Sequence, residues 1–235
     1  MTKHQLSRGL TIALCVSVFP LSAAAVTTTS ASTATKLTNL KTKGAAEVDR
    51  RLSNLAGASE RITAAKRLSD TDKAALTKQI QDEVTGLTAL KAKLAAETAI
   101  AGARADVASV VTDYRVYALM LPKARLVAAT DAADVAITNL KDLSAKLTTR
   151  LSAAKSNGKD TVALETKVAE INAALSEAAA KTDGLATKLL AIQPSDYNTS
   201  HTVLTGYRQS LNEAVVSINK AKAAAQQVIA GLKSL

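Results

Sequence analysis

TVALETKVAEINAALSEAAAKTDGLATKLL, residues 161–190, decides the fold class. Its apolar positions are Leu164, Val168, Ile171, Leu175, Thr182, Leu185 and Leu189, separated by steps of 4, 3, 4, 7, 3 and 4. That spacing keeps one face of a helix apolar over more than three heptads, which a strand of period two cannot do. Between the seam positions stand alanine, glutamate and lysine, which lose little side-chain entropy in a helix. The stretch is a seam-forming helix, opened by Asp160.

The same pattern extends in both directions. Toward the N-terminus, Asn157-Gly158 ends a preceding helix whose stripe is Leu126, Ala133, Ile137, Leu140, Leu147 and Leu151; glycine takes the left-handed cap without strain. Before it, Leu76, Ile80, Val84, Leu87, Leu90 and Leu94 form another stripe. This stripe weakens around 98–102, where a kink or short break is expected, and resumes through Val107, Val110, Tyr114, Tyr117 and Leu121 to Pro122. Proline lacks an N–H and clashes with the turn before it, so 121–123 reads as a reversal between antiparallel helices, with a kinked continuous helix as the alternative. A first helix over 36–68 carries Leu37, Leu40, Val48, Leu52, Leu55, Ile62 and Leu68, with Glu47 and Arg51 as an i,i+4 pair. Ser69 and Asp72 then stand at capping-box spacing. Toward the C-terminus, 193–196 is a turn, and Leu204, Leu211, Val215, Ile218, Ala225, Val228 and Leu232 line a last helix. The expectation is an all-α fold: an elongated antiparallel bundle of four to five long helices, forming one domain over 36–235.

The first 25 residues have the parts of a secretory signal. Lys3 and Arg8 are basic, 10–21 is an apolar run, and Ala23-Ala24-Ala25 offers a small-x-small cut site. The run is shorter than the roughly 20 residues a membrane span needs, so cleavage after Ala25 is expected, leaving no transmembrane segment, with an uncleaved signal anchor as the alternative. Residues 26–35, almost all Ser, Thr and Ala, read as a flexible linker. Cys15 is the only cysteine and lies inside the signal, so the mature chain has no disulfide framework. The formal net charge of the whole chain is +10, and cleavage removes two basic residues and no acidic one.

The mature chain has one histidine, His201, and no cysteine. A two-histidine metal site and Cys–His catalysis are therefore not available to it. No Gly-rich phosphate loop is present, and the acids are scattered singly along helices as a solvated face requires. The sequence implies a non-enzymatic protein with no cofactor. Its basic excess is diffuse rather than gathered into a stripe, which argues against nucleic acid; an envelope protein or an anionic wall polymer is the expected partner class.

One stretch departs from these alanine-rich surroundings: Asp113-Tyr114-Arg115-Val116-Tyr117-Ala118-Leu119-Met120-Leu121-Pro122. Together with Leu87-Thr88-Ala89-Leu90-Lys91-Ala92-Lys93, it resembles a family of uncharacterised exported helical proteins of bacteria, candidate phyla among them, that share a D-Y-R-V-Y-A-L-x-x-P element. The resemblance implies bacterial export and no particular activity. If 121–123 and 193–198 are both reversals, they lie at one pole, where Tyr114, Arg115, Tyr117, Lys123, Tyr197, His201, Tyr207 and Arg208 gather as a candidate partner-binding surface. Tyrosine and arginine are the residue types that dominate binding hot spots. The expected role is that of a secreted or cell-surface adhesin, scaffold or envelope spacer, with an amphipathic carrier of lipid or another apolar ligand as the alternative.

Overall fold

The computed structural model describes residues 24–235, and side chains from residue 31 onward. The signal-peptide reading falls on residues that, apart from the last two, lie outside this range. The described chain is all-α, with 87% helix and no strands. Its helices are α1 (Ala24–Ala64), α2 (Asp70–Ala96), α3 (Ile100–Thr112), α4 (Leu121–Ser156), α5 (Val162–Thr182), α6 (Leu185–Ala191), α7 (Pro194–Thr199) and α8 (Thr205–Ser234). A π-helical turn, Val116–Met120, joins α3 to α4.

These helices make five rods of alternating direction. α1 runs up and α2 down, as Lys91 Nζ to Asp49 Oδ1 (2.5 Å) and Lys41 Nζ to the Ala95 carbonyl (2.9 Å) register. The third rod runs from α3 through the π turn into α4, parallel to α1. Asn54 meets Tyr117 at 3.3 Å, and Asp131 Oδ2 accepts from the Ser69 backbone N–H at 2.6 Å further up. α5 returns along α4, with Ser144 Oγ 2.8 Å from Asn172 Oδ1. α8 then runs up against α5, with Lys181 2.6 Å from Glu213. Residues 100–156 make the third rod about 85 Å long at 1.5 Å per residue. α1 and α2 pack on its lower part, and α5 and α8 on its upper part.

Each half has its own core. The lower one gathers Val48, Leu55, Leu76, Leu87, Val110 and Val127, all fully buried. The upper one is built on Ile171, Leu175 and Val228 with Ala174, Ala221 and Ala225 between them. Small side chains at this interface let the axes of α5 and α8 approach closely, so the Cβ that Gly231 lacks would run into Leu164.

Four expectations are corrected. The reversal lies at 97–99 and not at 121–123. Arg115 adopts a left-handed backbone (φ 44°, ψ 34°), and the Leu121 N–H reaches back to the Val116 carbonyl. Pro122 therefore falls in the first turn of α4, where no N–H is needed, and the rod continues in the same direction. Residues 26–35 are not a loose linker but part of α1. The segment contains no glycine or proline, and the Thr35 hydroxyl bonds the Ala31 carbonyl one turn back, at 2.9 Å. The fourth predicted helix is divided, because Gly184 takes φ 62°, yet Thr182, Leu185 and Leu189 stay buried on either side. On the last helix, Val215 is exposed and Ala214 takes the seam position.

Candidate functional site

The element that singled itself out in sequence lies at the waist of the molecule, where the π turn passes the corner formed by α6 and α7. α3 ends at Thr112, capped by Asp113, before the left-handed Arg115 interrupts the helical backbone. This frees the Thr112 carbonyl. Asn198 of α7 donates its Nδ2 to it at 2.9 Å, while Asn198 Oδ1 accepts from Arg115 Nε at 2.6 Å. Left-handed backbone at a non-glycine residue is strained and persists only where its surroundings hold it. Here the guanidinium lies 5.4 Å from the Tyr197 ring centre, and the Tyr197 ring stacks on His201 at 5.1 Å. Arg115, Tyr197 and His201 thus form a stack fixed to the rod by Asn198, with Arg115 half-buried, Tyr197 half-buried against the lower core, and His201 exposed. α7 is fixed in turn by a capping box, in which Asp196 Oδ2 accepts from the Gln193 N–H at 2.8 Å.

The eight candidate residues are not all at one pole, because the reversal that would have put them there is absent. Tyr114, Arg115, Lys123, Tyr197 and His201 come together at the waist. Tyr117 faces α1 instead, its ring 4.9 Å from the buried Arg51 guanidinium. Arg51 in turn pairs with Glu47, as the i,i+4 spacing indicated. Tyr207 is half-buried against the lower core, and Arg208 sits on the face of α5 and α8 beside Glu177 and Glu213.

Between α2, the π turn and the start of α7 is a cavity of about 260 Å³. Its inner wall carries Glu83 and Gln79 from α2, Tyr114, and Lys123 from α4. Lys123 is 4% exposed and donates to the Ile192 carbonyl at 2.9 Å. Burial lowers its pKa, against the raising effect of Glu83. Burial likewise pushes Glu83 up to about 7, with Lys123 opposing and Asp82 adding to the shift. Tyr114 is raised by burial and then by the carboxylates of Glu83 and Asp113. Glu83 and Gln79 escaped the sequence reading. On α2 each precedes a seam residue, Ile80 and Val84, by a single position, at the place where a solvated polar face begins. Only the arrival of α6 and the π turn covers them. Lys123 was singled out for its neighbours and proves to be the buried cation of the cavity.

Other buried acids have structural partners. Asp106, 2% exposed, receives Lys93 Nζ at 2.6 Å, and Asp131 caps the backbone at Ser69. The Ser69 hydroxyl accepts from the Asp72 N–H at 3.1 Å, as the spacing suggested, but the Ser69 N–H bonds Asp131 rather than Asp72. Among the described residues no three His, Cys, Asp or Glu side chains gather as a metal site would need. Also among them, no helix is long and apolar enough to cross a membrane. No family model, curated protein or solved structure matches this chain.

Proposed function

We propose that this protein is an exported or cell-surface, non-enzymatic helical rod that serves as an adhesin, scaffold or envelope spacer. It binds a macromolecular partner, an envelope protein or an anionic wall polymer, through the Arg115–Tyr197–His201 stack. The observation that carries this reading is the stack itself: a cation and two aromatic rings, half-buried at Arg115 and Tyr197 and exposed at His201, held in place by a strained backbone and by Asn198. Strain of this kind concentrates at functional positions, and rigid aromatic and arginine side chains lose little entropy on binding. The signal-like first 25 residues support export, and the D-Y-R-V-Y-A-L-x-x-P resemblance supports bacterial export.

Closed seams favour a scaffold over a carrier. Ile171, Leu175, Ala178 and Val228 are at most 1% exposed, and opening them to lipid would forfeit most of the upper core. The test is affinity capture from solubilised bacterial envelope with the wild type and with Arg115→Ala and His201→Ala. The reading expects a captured component that both variants lose while keeping their thermal unfolding temperature. Capture unchanged in both variants would remove the stack from the account.

A further inference from the structure

α1 and the third rod run parallel, and Asn54 Nδ2 donates to the Tyr117 hydroxyl at 3.3 Å across 63 positions of sequence. The same offset pairs Ala58 with Leu121, Ile62 with Arg125 and Ala65 with Ala128. These residues, with Arg61 and Ala124, line an open groove of about 410 Å³ between α1 and α4. Above it, Asp131 Oδ2 accepts from the Ser69 N–H at 2.6 Å. We propose that this groove binds a single-chain fatty carboxylate of medium length, its ionised head held by Arg61 and Arg125.

The groove is apolar except at its two cations. Ala58, Ile62 and Ala124 make a buried floor, and alanine at most of the lining positions leaves the space above it unfilled. The two arginines are the only polar side chains in the lining. Both are exposed, and among the described residues neither has an ion pair or hydrogen bond. No acid lines the groove, whereas Glu83 lines the waist cavity and Glu177 and Glu213 line the cleft between α5 and α8. Side chains on a helix lean toward its N-terminus, so on parallel helices both arginines lean toward the same end. Arg61 Nη1 lies 3.7 Å from the point where Gly57 would carry a Cβ, one turn back along α1. Two cations leaning toward one end of an apolar trough match a ligand charged at one end and aliphatic along the rest. The planar guanidinium fork fits a carboxylate.

Other occupants fit less well. The walls are helices whose backbone groups bond internally, so the amides of a docked peptide would lose water with nothing to replace it. A second copy of the chain would need roughly 800 Å² per partner for a stable interface, and the lining spans only about 10 Å of each helix. The two long chains of a bilayer lipid would overrun a trough of that length. The volume itself lies within the range of small-molecule sites. The groove is open in the folded rod, so the ligand binds with every seam closed. This inference goes beyond the stack reading and does not rest on it.

Isothermal titration of the full chain with sodium hexanoate, sodium octanoate and octylammonium chloride, each below its micelle concentration, tests this. The expected result is saturable one-to-one binding of octanoate, about fourfold tighter than hexanoate for two half-covered methylenes, and no binding of octylammonium. Arg61→Gln and Arg125→Gln should each weaken octanoate about threefold to fivefold, as exposed charge pairs do, and the double variant should abolish binding. Ala128→Leu, which fills the trough, should abolish it without lowering the unfolding temperature followed by circular dichroism. Equal binding of octylammonium would make this an unspecific apolar surface and overturn the proposal. So would octanoate affinity unchanged in the double variant, or no saturable binding of either carboxylate. Sedimentation showing a dimer that Ala128→Leu dissolves would assign the groove to a second copy and overturn it too. None of these variants alters Arg115, Tyr197 or His201, so the stack is tested separately by envelope capture.

Discussion

Replacing Glu83 by glutamine should make the protein more stable, by an amount that grows with pH. Burial, reinforced by Asp82 and opposed by Lys123, raises this carboxyl from 4.5 to about 7. Between those values the folded protein holds a proton that the unfolded chain has released. The sign follows: the folded state binds more protons, so wild-type stability falls as pH rises from 4.5 to 7 and levels off above. At about 1.4 kcal/mol for each pH unit, the ceiling is about 3 kcal/mol. The side chain is partly exposed, and solvent screening cuts this to about 1–2 kcal/mol. In a chain of this size that corresponds to about 3–6 °C in unfolding temperature. Calorimetry of wild type and Glu83→Gln at pH 4.5, 6, 7 and 8 should show their difference widening by this amount, in favour of the variant. Glu165 and Glu213, held below their ordinary pKa by hydrogen bonds from Lys155 and Lys181, lose their contribution on acidification in both proteins and cancel in the difference. A gap that does not change with pH, or one in which the wild type gains at high pH, would mean that Lys123 fully compensates the carboxylate and that the cavity account is wrong.

Further expectations concern packing and export. A Cβ at Gly44 would lie 2.5 Å from Leu94 Cδ2 and 2.6 Å from Val107 Cγ2, whereas at Gly57 the nearest atom is Arg61 Nη1 at 3.7 Å. Gly57→Ala should therefore stabilise by up to about 1 kcal/mol, while Gly44→Ala should destabilise by about 1 kcal/mol because overpacking exceeds the helix gain. Urea unfolding of both variants checks the pair, and equal effects would contradict the packing of α1 against α2 and α3. Ile171→Asp places a carboxylate in a fully buried seam and should lose about 3 kcal/mol or more; unchanged thermal unfolding would misplace the seam of α5. Intact-mass measurement of protein exported by a bacterial host should give a chain beginning at Val26, and a mass that includes residues 1–25 would reject cleavage.

The helices were legible wherever one face alone had to be buried. The α5 stripe of Val168, Ile171 and Leu175 is buried as its spacing requires. Positions where backbone conformation and tertiary covering compete were less so. Pro122 forbids an N–H but says nothing of direction; the left-handed Arg115 and the π turn absorb the lost hydrogen bond and carry the rod on. Gly184 stands in a helical pattern yet adopts a left-handed conformation, a choice that local sequence leaves open. Five of the eight candidate residues, Tyr114, Arg115, Lys123, Tyr197 and His201, meet at the waist, while Tyr117, Tyr207 and Arg208 do not. The waist cavity depends on α2 meeting α6, and on Gln79 finding the Leu190 carbonyl across 111 positions of sequence. No local pattern encodes such a meeting.

Hydrogen exchange of the purified protein, with and without solubilised bacterial envelope, tests the central claim most directly. A closed rod that binds through the stack predicts added protection at 112–123 and 193–204, with the amides of α5 and α8 unchanged. Loss of protection along 162–182 and 205–234 on mixing, with none gained at the waist, would mean that the bundle opens to its ligand and that the scaffold reading is wrong.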